Sequence, residues 1–224
     1  MREQITLDGP AASGKSTLAK KVAEALNAYS INTGDMDRAL TWCAHRRSIN
    51  VDDTDGIINL LDSVNIRYQL VDNKPVLYCE GKIADQNEFR APEITEKVSL
   101  VAAIPEVREW LVARQRESAG LGLLVMEGRD IGTVVFPEAN YKFYVTASPE
   151  VRAKRRLSQD GEVPEGATVE KVAKDIAKRD ELDMNRAVSP LKQADDAVCI
   201  DTSNLTIEEA VEKIVSAVRK KQSC

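Results

Sequence analysis

The sequence predicts an α/β protein built on a parallel central sheet, and three observations carry that expectation. GPAASGKST, residues 9–17, is a glycine-rich loop set between a strand and a helix. Short apolar strands and amphipathic helices then alternate along most of the chain, the order that builds a parallel sheet covered by helices. Only residues 64–90 interrupt that alternation, with two strand-like runs close together.

Taken in order, Gln4 to Asp8 reads as the first strand, with Ile5 and Leu7 alternating against polar neighbours. The helix after the loop is amphipathic, with Leu18, Val22, Ala25 and Leu26 at helical spacing. A short strand at Tyr29 to Ile31 and a helix from about Asp35 to Arg46 follow. NIRYQL and PVLYCEG then form an antiparallel hairpin about Asp72-Asn73-Lys74, a small insertion on the main domain. A helix with Pro92 near its start is expected to run to about Ser118, bent at Pro105, and the apolar strand LGLLVMEG lies at 121–128. A further strand covers YKFYVTA, 141–147. Ser148 and Pro149 cap and open a basic helix, since a hydroxyl accepts from a free helix N–H and proline needs no donor at the first position. DGEVPEGAT, 160–168, reads as a mobile loop tip, and a helix from Thr168 to Arg186, a strand from Ala197 to Asp201 and a helix from Ile207 to Lys220 complete the domain.

At 224 residues the chain is long enough for one sizeable core, so a single domain over 1–224 is expected. A formal net charge of -5 weighs against wrapping nucleic acid or an anionic membrane, so any positive field must be local. The four cysteines, Cys43, Cys79, Cys199 and Cys224, are far apart in sequence, and His45 is the only histidine. They read as free thiols of a cytoplasmic protein, an expectation matched by the absence of a basic leader or a long apolar run.

The loop matches G-x-x-x-x-G-K-[ST] through Gly9, Gly14, Lys15 and Ser16. Backbone N–H groups of Gly9, Pro10, Ala11, Ala12, Ser13, Gly14 and Thr17 would surround nucleotide phosphates, proline excepted as a donor. Lys15 would reach the outer phosphates and the Ser16 hydroxyl would bind Mg2+. Three basic constellations face the question of where a phosphate goes next. In the helix 168–186 an apolar stripe of Val169, Val172, Ala173 and Ile176 gives way to Arg179, Asp183 and Arg186 at i, i+4 and i+7. Such a face leaves the core for a polar cleft, because buried unpaired charges are costly. Arg152, Arg155 and Arg156 share one face of the helix before the loop tip and could close over a nucleotide. Arg129 and Asp130 stand at the carboxyl end of the 121–128 strand, where ligands of parallel sheets bind; a guanidinium suits a phosphate, and a carboxylate a base edge, ribose or metal.

With these residues in hand, the chain resembles the bacterial cytidylate kinase family. ITLDGPAASGKST, INTGDMDRAL, VSLVAAIPEVRE, EGRDIGTVVFP, ASPEVRAKRR, RDELDMNRAVSPL and ADDAVCIDTSNLTIEE stand in the family's order and span nearly the whole sequence. The resemblance implies a three-layer P-loop kinase fold with a lid at about 150–168 and an extra nucleotide-binding insertion at about 64–90. It implies transfer of the terminal phosphoryl group of ATP, with Mg2+, to CMP or dCMP; a monomer is expected. It also implies that Thr33, Arg38, Arg129 and Arg186 meet the acceptor phosphate, that Ser99, Arg108 and Asp130 read the base, and that Asp183 holds the ribose. Arg179 joins that cluster, Arg152 and Arg156 belong to the lid, and Lys15 with the arginines would supply the catalytic charge. One block departs from the usual D-T/S-G-A-M/I-Y-R: here it is Asn32-Thr33-Gly34-Asp35-Met36-Asp37-Arg38. On the resemblance, Asp37 lies beside the acceptor phosphate and competes for Arg38. The rival readings are a P-loop kinase for UMP, AMP or shikimate, a non-catalytic nucleotide sensor, and a GTPase switch. For the last, the nearest match to N-K-x-D, Asn73-Lys74-Pro75-Val76, lacks the aspartate.

Overall fold

A computed structural model describes residues 3–159, 163 and 166–222. The expected loop tip at 160–168 lies mostly outside them. β1 (Gln4–Asp8) leads through the glycine-rich loop into α1 (Lys15–Leu26), then β2 (Tyr29–Asn32) into α2 (Thr33–Arg46) and α3 (Thr54–Leu61). The inserted strands are β3 (Ile66–Val71), β4 (Lys74–Cys79) and β5 (Lys82–Ile83), followed by the short helices α4 (Gln86–Phe89), α5 (Pro92–Thr95) and α6 (Val98–Val101). α7 (Pro105–Glu117), β6 (Leu124–Gly128), a π-type turn at Ile131–Val135, β7 (Tyr141–Thr146), α8 (Pro149–Leu157), α9 (Val169–Asn185), β8 (Val198–Asp201) and α10 (Ile207–Gln222) complete the order.

Five strands form one parallel sheet in the order β2-β6-β1-β7-β8, and β3-β4-β5 form a separate antiparallel sheet, as the break at 64–90 predicts. Alternation along the strands decides which face each side chain enters. Ile5, Leu7, Val125 and Val145 pack under α1 and α10 against Leu18, Val22, Ile214 and Val218, while Leu124 and Met126 of β6 point the other way to Ile31 and Val112. A third cluster, including Met36, Leu40, Ile57, Leu77, Phe89 and Leu111, joins α2, α3 and α7 to the insertion.

Three local expectations change. The helix expected from Pro92 to Ser118 is three helices, because Pro105 has no N–H to continue a ladder and holds Ile104 extended (φ -64, ψ 123). Ala25 is exposed and Ala23 takes its place in the core. α3 has no counterpart in the sequence-based expectation; Asp53 caps it by accepting from the Gly56 N–H at 2.9 Å. The Ser148 hydroxyl accepts from the Val151 N–H as expected, and the Thr168 hydroxyl likewise accepts from the Lys171 N–H. Among the described residues no helix is long and apolar enough to cross a membrane.

Candidate active site

The site is a single cleft of about 370 Å3 above the carboxyl ends of β1, β2 and β6. One end is the glycine-rich loop. Gly9 (φ +147) lies so close to β7 that a Cβ there would meet the Val145 carbonyl oxygen at 2.0 Å, so only glycine lets the chain turn at this point. Lys15, the first residue of α1, is buried and curls back to donate from Nζ to the Pro10 carbonyl at 2.7 Å and the Ser13 hydroxyl at 3.3 Å. Burial first, then the charge of Arg129, pushes its ammonium down to about 7.

The loop is held from behind by residues that the motif does not include. Asp180 of α9 accepts from the Ala11 N–H at 2.8 Å through Oδ1, and its Oδ2 takes a short ion pair from Arg152. Arg152 also donates to the Ala11 carbonyl at 3.1 Å. Arg155 donates to the Ser13 carbonyl at 3.1 Å and to Thr202 at the end of β8. The sequence reading sets Arg152 and Arg156 at the nucleotide; instead Arg152 is pinned under the loop by Asp180, and Arg155 and Arg156 line the cleft. The physical reason is a buried carboxylate opposite Arg152, which a one-dimensional helix face cannot reveal. Asp180 had a legible signal, since it continues the buried series Val172, Ile176 at i+4.

Ser16 donates from Oγ to the Glu127 carboxylate, and Thr33 donates to the Glu127 carbonyl at 2.9 Å, which joins the loop, β6 and the start of α2. Asp8 accepts from the Ile131 and Gly132 N–H groups at 2.8 and 2.7 Å, fixing the turn after Asp130. Burial pushes the Asp8 carboxyl up while those two donors hold it down. Glu127 sits at the end of the apolar run that the sequence reading used only for its Arg129 and Asp130.

The middle of the cleft is cationic. Arg38, Arg129, Arg156, Arg179 and Arg186 all line it. Burial first, then Arg38 and Arg129, pushes Arg179 down to about 10; burial first, then Arg179, Arg38 and Arg129, pushes Arg156 to about 9. Guanidinium groups that depress one another define a place where an anion is favoured. Arg129 donates to Asp183 at 2.8 Å and Arg186 donates from Nε to the Ser189 carbonyl at 2.8 Å. Arg179 Nε and Arg186 Nη2 are buried without a hydrogen-bond partner.

The far end is built around Arg108, which is 2% exposed. It donates to Gln115 at 2.8 Å and lies 3.4 Å from Asp130, with Ser99 on the same wall of the cleft. Asp37 stands 3.5 Å from Arg108, so the expectation that it competes for Arg38 is corrected. Asp35 does that instead, at 3.9 Å from Arg38 and 2.7 Å from Arg90. Position 35 lies three residues before Arg38 on α2, about 60° from it around the helix, whereas position 37 lies about 100° away on the other side, toward α7. The insertion reaches this region as Tyr68, whose hydroxyl donates to the Asn32 carbonyl at 2.9 Å.

A parallel sheet, a phosphate-binding loop at the carboxyl end of its central strand and a facing group of arginines define a P-loop phosphotransferase. The sequence model of the cytidylate kinase family matches residues 5–220, and the chain belongs to that family. It is 44% identical over 219 residues to the cytidylate kinase of Lactobacillus johnsonii, covering 98% of this chain and 95% of that one. It is 45% identical over 216 residues to the cytidylate kinase of Clostridium botulinum strain Loch Maree, covering 96% and 97%. Among solved structures, an uncharacterized protein from Eubacterium ventriosum superposes with a TM-score of 0.54 at 12% identity, covering 97% of this chain and 99% of that one, a likeness of fold alone.

Proposed function

We propose that this chain transfers the terminal phosphoryl group of ATP to CMP or dCMP, giving ADP and CDP or dCDP. The observation that carries the reading is one cleft with Lys15 and its loop at one end, Arg108 and Asp130 at the other, and Arg38, Arg129, Arg179 and Arg186 between them. The triphosphate lies on Gly14, Lys15, Ser16 and Thr17, with Arg156 above it. The acceptor phosphate meets Arg38, Arg129 and Arg186, Asp183 takes the ribose, and Ser99, Arg108 and Asp130 read the base. Cytosine offers an N4 amino donor to Asp130 and acceptors at N3 and O2 to Arg108, whereas uracil turns an acceptor toward the carboxylate.

The attacking oxygen already belongs to a phosphate and is anionic, so no side chain acts as nucleophile or base. Catalysis is positioning together with neutralisation of charge between two polyanions, which Lys15 and the arginines supply from fixed places. Arg179 and Arg186 keep buried N–H donors that an incoming oxygen would satisfy. No group of three metal-binding side chains occurs among the described residues, but Ser16 and Glu127 present paired oxygen donors, the chemistry that suits a hard cation arriving with its own phosphates. Mg2+ brought by ATP would rest there and withdraw charge from the phosphates. The segment after 149 and the inserted sheet serve as covers that exclude water, and because both ends of the cleft come from one chain, a monomer suffices.

A coupled ADP-release assay with CMP, dCMP, UMP and AMP tests the reading. CMP or dCMP should exceed UMP and AMP in kcat/KM by roughly two orders of magnitude or more, as expected for a site that reads hydrogen bonds. A preference for UMP or AMP overturns it.

A further inference from the structure

Cys43 and Cys79 are 36 residues apart in sequence, yet their sulfur atoms lie 3.3 Å from each other. Cys43 stands on α2, the helix that also bears Arg38, and Cys79 ends β4 of the inserted sheet. Both are free thiols, 2% and 4% exposed. They are nonetheless reachable, since both border a second cavity of about 490 Å3 whose other walls include Arg46, Arg47 and Glu80. This cavity is separate from the nucleotide cleft and shares no lining residue with it.

We propose that Cys43 and Cys79 are an oxidative modification site: a two-electron oxidant of the peroxide class converts them to a disulfide that ties α2 to the inserted sheet, and a thiol reductant reverses it. A disulfide needs the two sulfurs at about 2.05 Å, so a closure of a little over 1 Å, within the reach of side-chain rotation, completes the bond. The two thiols are unequal. The hydrogen bond between the two sulfurs pulls the Cys43 thiol down, opposed by burial and Glu80 and aided by Arg47 and Arg46, while the same hydrogen bond pushes Cys79 up. Cys43, with Arg46 of the same helix and Arg47 beside it on the cavity wall, is the thiolate that attacks. Its sulfur takes one oxygen of hydrogen peroxide as the O–O bond breaks, leaving a sulfenic acid and hydroxide. Cys79 sulfur then attacks the Cys43 sulfur, the S–O bond breaks, and the hydroxyl leaves with the Cys79 proton as water. A second proton neutralises the hydroxide, so two thiols and one peroxide give one disulfide and two waters.

The full chain is treated with hydrogen peroxide, denatured, alkylated and mapped without reduction. The expected result is loss of two alkylatable thiols, a cross-linked peptide pair containing Cys43 and Cys79, and recovery of both thiols with dithiothreitol. In Cys79→Ser the cross-link vanishes and a sulfenic-acid probe labels Cys43. Closing a loop of 36 residues should also raise Tm by roughly 4 °C or more in the oxidised parent and not in a Cys43→Ala/Cys79→Ala control. Four alkylatable cysteines after treatment, a cross-link through Cys199 or Cys224, or an unchanged Tm in a cross-linked sample overturns the proposal. None of these readouts depends on the kinase reading, which the acceptor panel tests separately.

Discussion

Removing the Asp180 carboxylate should loosen the phosphate-binding loop more than any change of equal size on the cleft surface. Asp180 is 5% exposed and does two tasks: Oδ1 accepts from the Ala11 N–H at 2.8 Å, and Oδ2 meets Arg152, which is itself 9% exposed. In Asp180→Ala the guanidinium stays buried without its counter-charge, an arrangement that costs about 3–5 kcal/mol, and the Ala11 N–H loses its acceptor within the same figure. For a chain of this size each kcal/mol moves Tm by about 2–4 °C, so the expected fall is about 6–20 °C. Because Ala12 next to it holds a left-handed backbone (φ 57), the freed loop should relax and the KM for ATP should rise. Asp180→Leu combined with Arg152→Met removes both charges and fills the space, so most of the lost Tm should return. The assay is differential scanning fluorimetry of the parent, Asp180→Ala, the single variants Asp180→Leu and Arg152→Met, and their double variant, with ATP titrations on each. A Tm fall under about 3 °C in Asp180→Ala, or a double variant whose loss equals the sum of the single losses, refutes the coupling.

Lys15, held near 7 by burial and Arg129, gains a phosphate partner when ATP binds, so its pKa then rises. At pH 8 about nine in ten of these ammonium groups begin deprotonated, and ATP binding should take up close to one proton, measured by calorimetry in buffers of different ionisation enthalpy. Uptake should fall toward zero at pH 6 and vanish in Lys15→Ala, which should also lose turnover by about a hundredfold or more; absence of uptake in the parent refutes the assignment. Asp130→Asn, at the Arg108 end, presents an amide that can donate to the uracil O4, so the CMP to UMP ratio of kcat/KM should fall about tenfold or more. An unchanged ratio removes Asp130 from the base site. Asp35→Ala takes a competing carboxylate from Arg38 and Arg90 and should lower the KM for CMP severalfold while lowering Tm by a few degrees, since Arg90 loses a 2.7 Å ion pair. A higher KM for CMP would show that Asp35 positions those arginines rather than competing with the phosphate.

Local chemistry made much of this protein legible before any fold was known. The glycine-lysine-serine loop depends on neighbours in sequence, and strand and helix periods depend on a few residues each, so β1, the loop, α1, the inserted hairpin and the helix that becomes α9 could be read directly. The switch from Val172 and Ile176 to Arg179, Asp183 and Arg186 along one face also announced a polar cleft, and those three residues do line it. Their partners were a different matter. Periodicity states which way a side chain points and is silent on what stands opposite, because that depends on how distant elements close upon each other. Thus Arg152 and Arg156, alike on paper, separate into a loop brace paired with Asp180 and a cleft-lining cation. Asp35 and Asp37, two residues apart on α2, divide between Arg38 and Arg108 because a helix turns about 100° per residue and meets a different neighbour on each side. Cys43 and Cys79, with no motif between them, become sulfur neighbours only when the insertion folds back onto α2. The sequence by itself determined the loop, the elements and the kinds of charge the cleft would hold; tertiary packing alone decided which charges were paired, since burial sets the cost of leaving any of them alone.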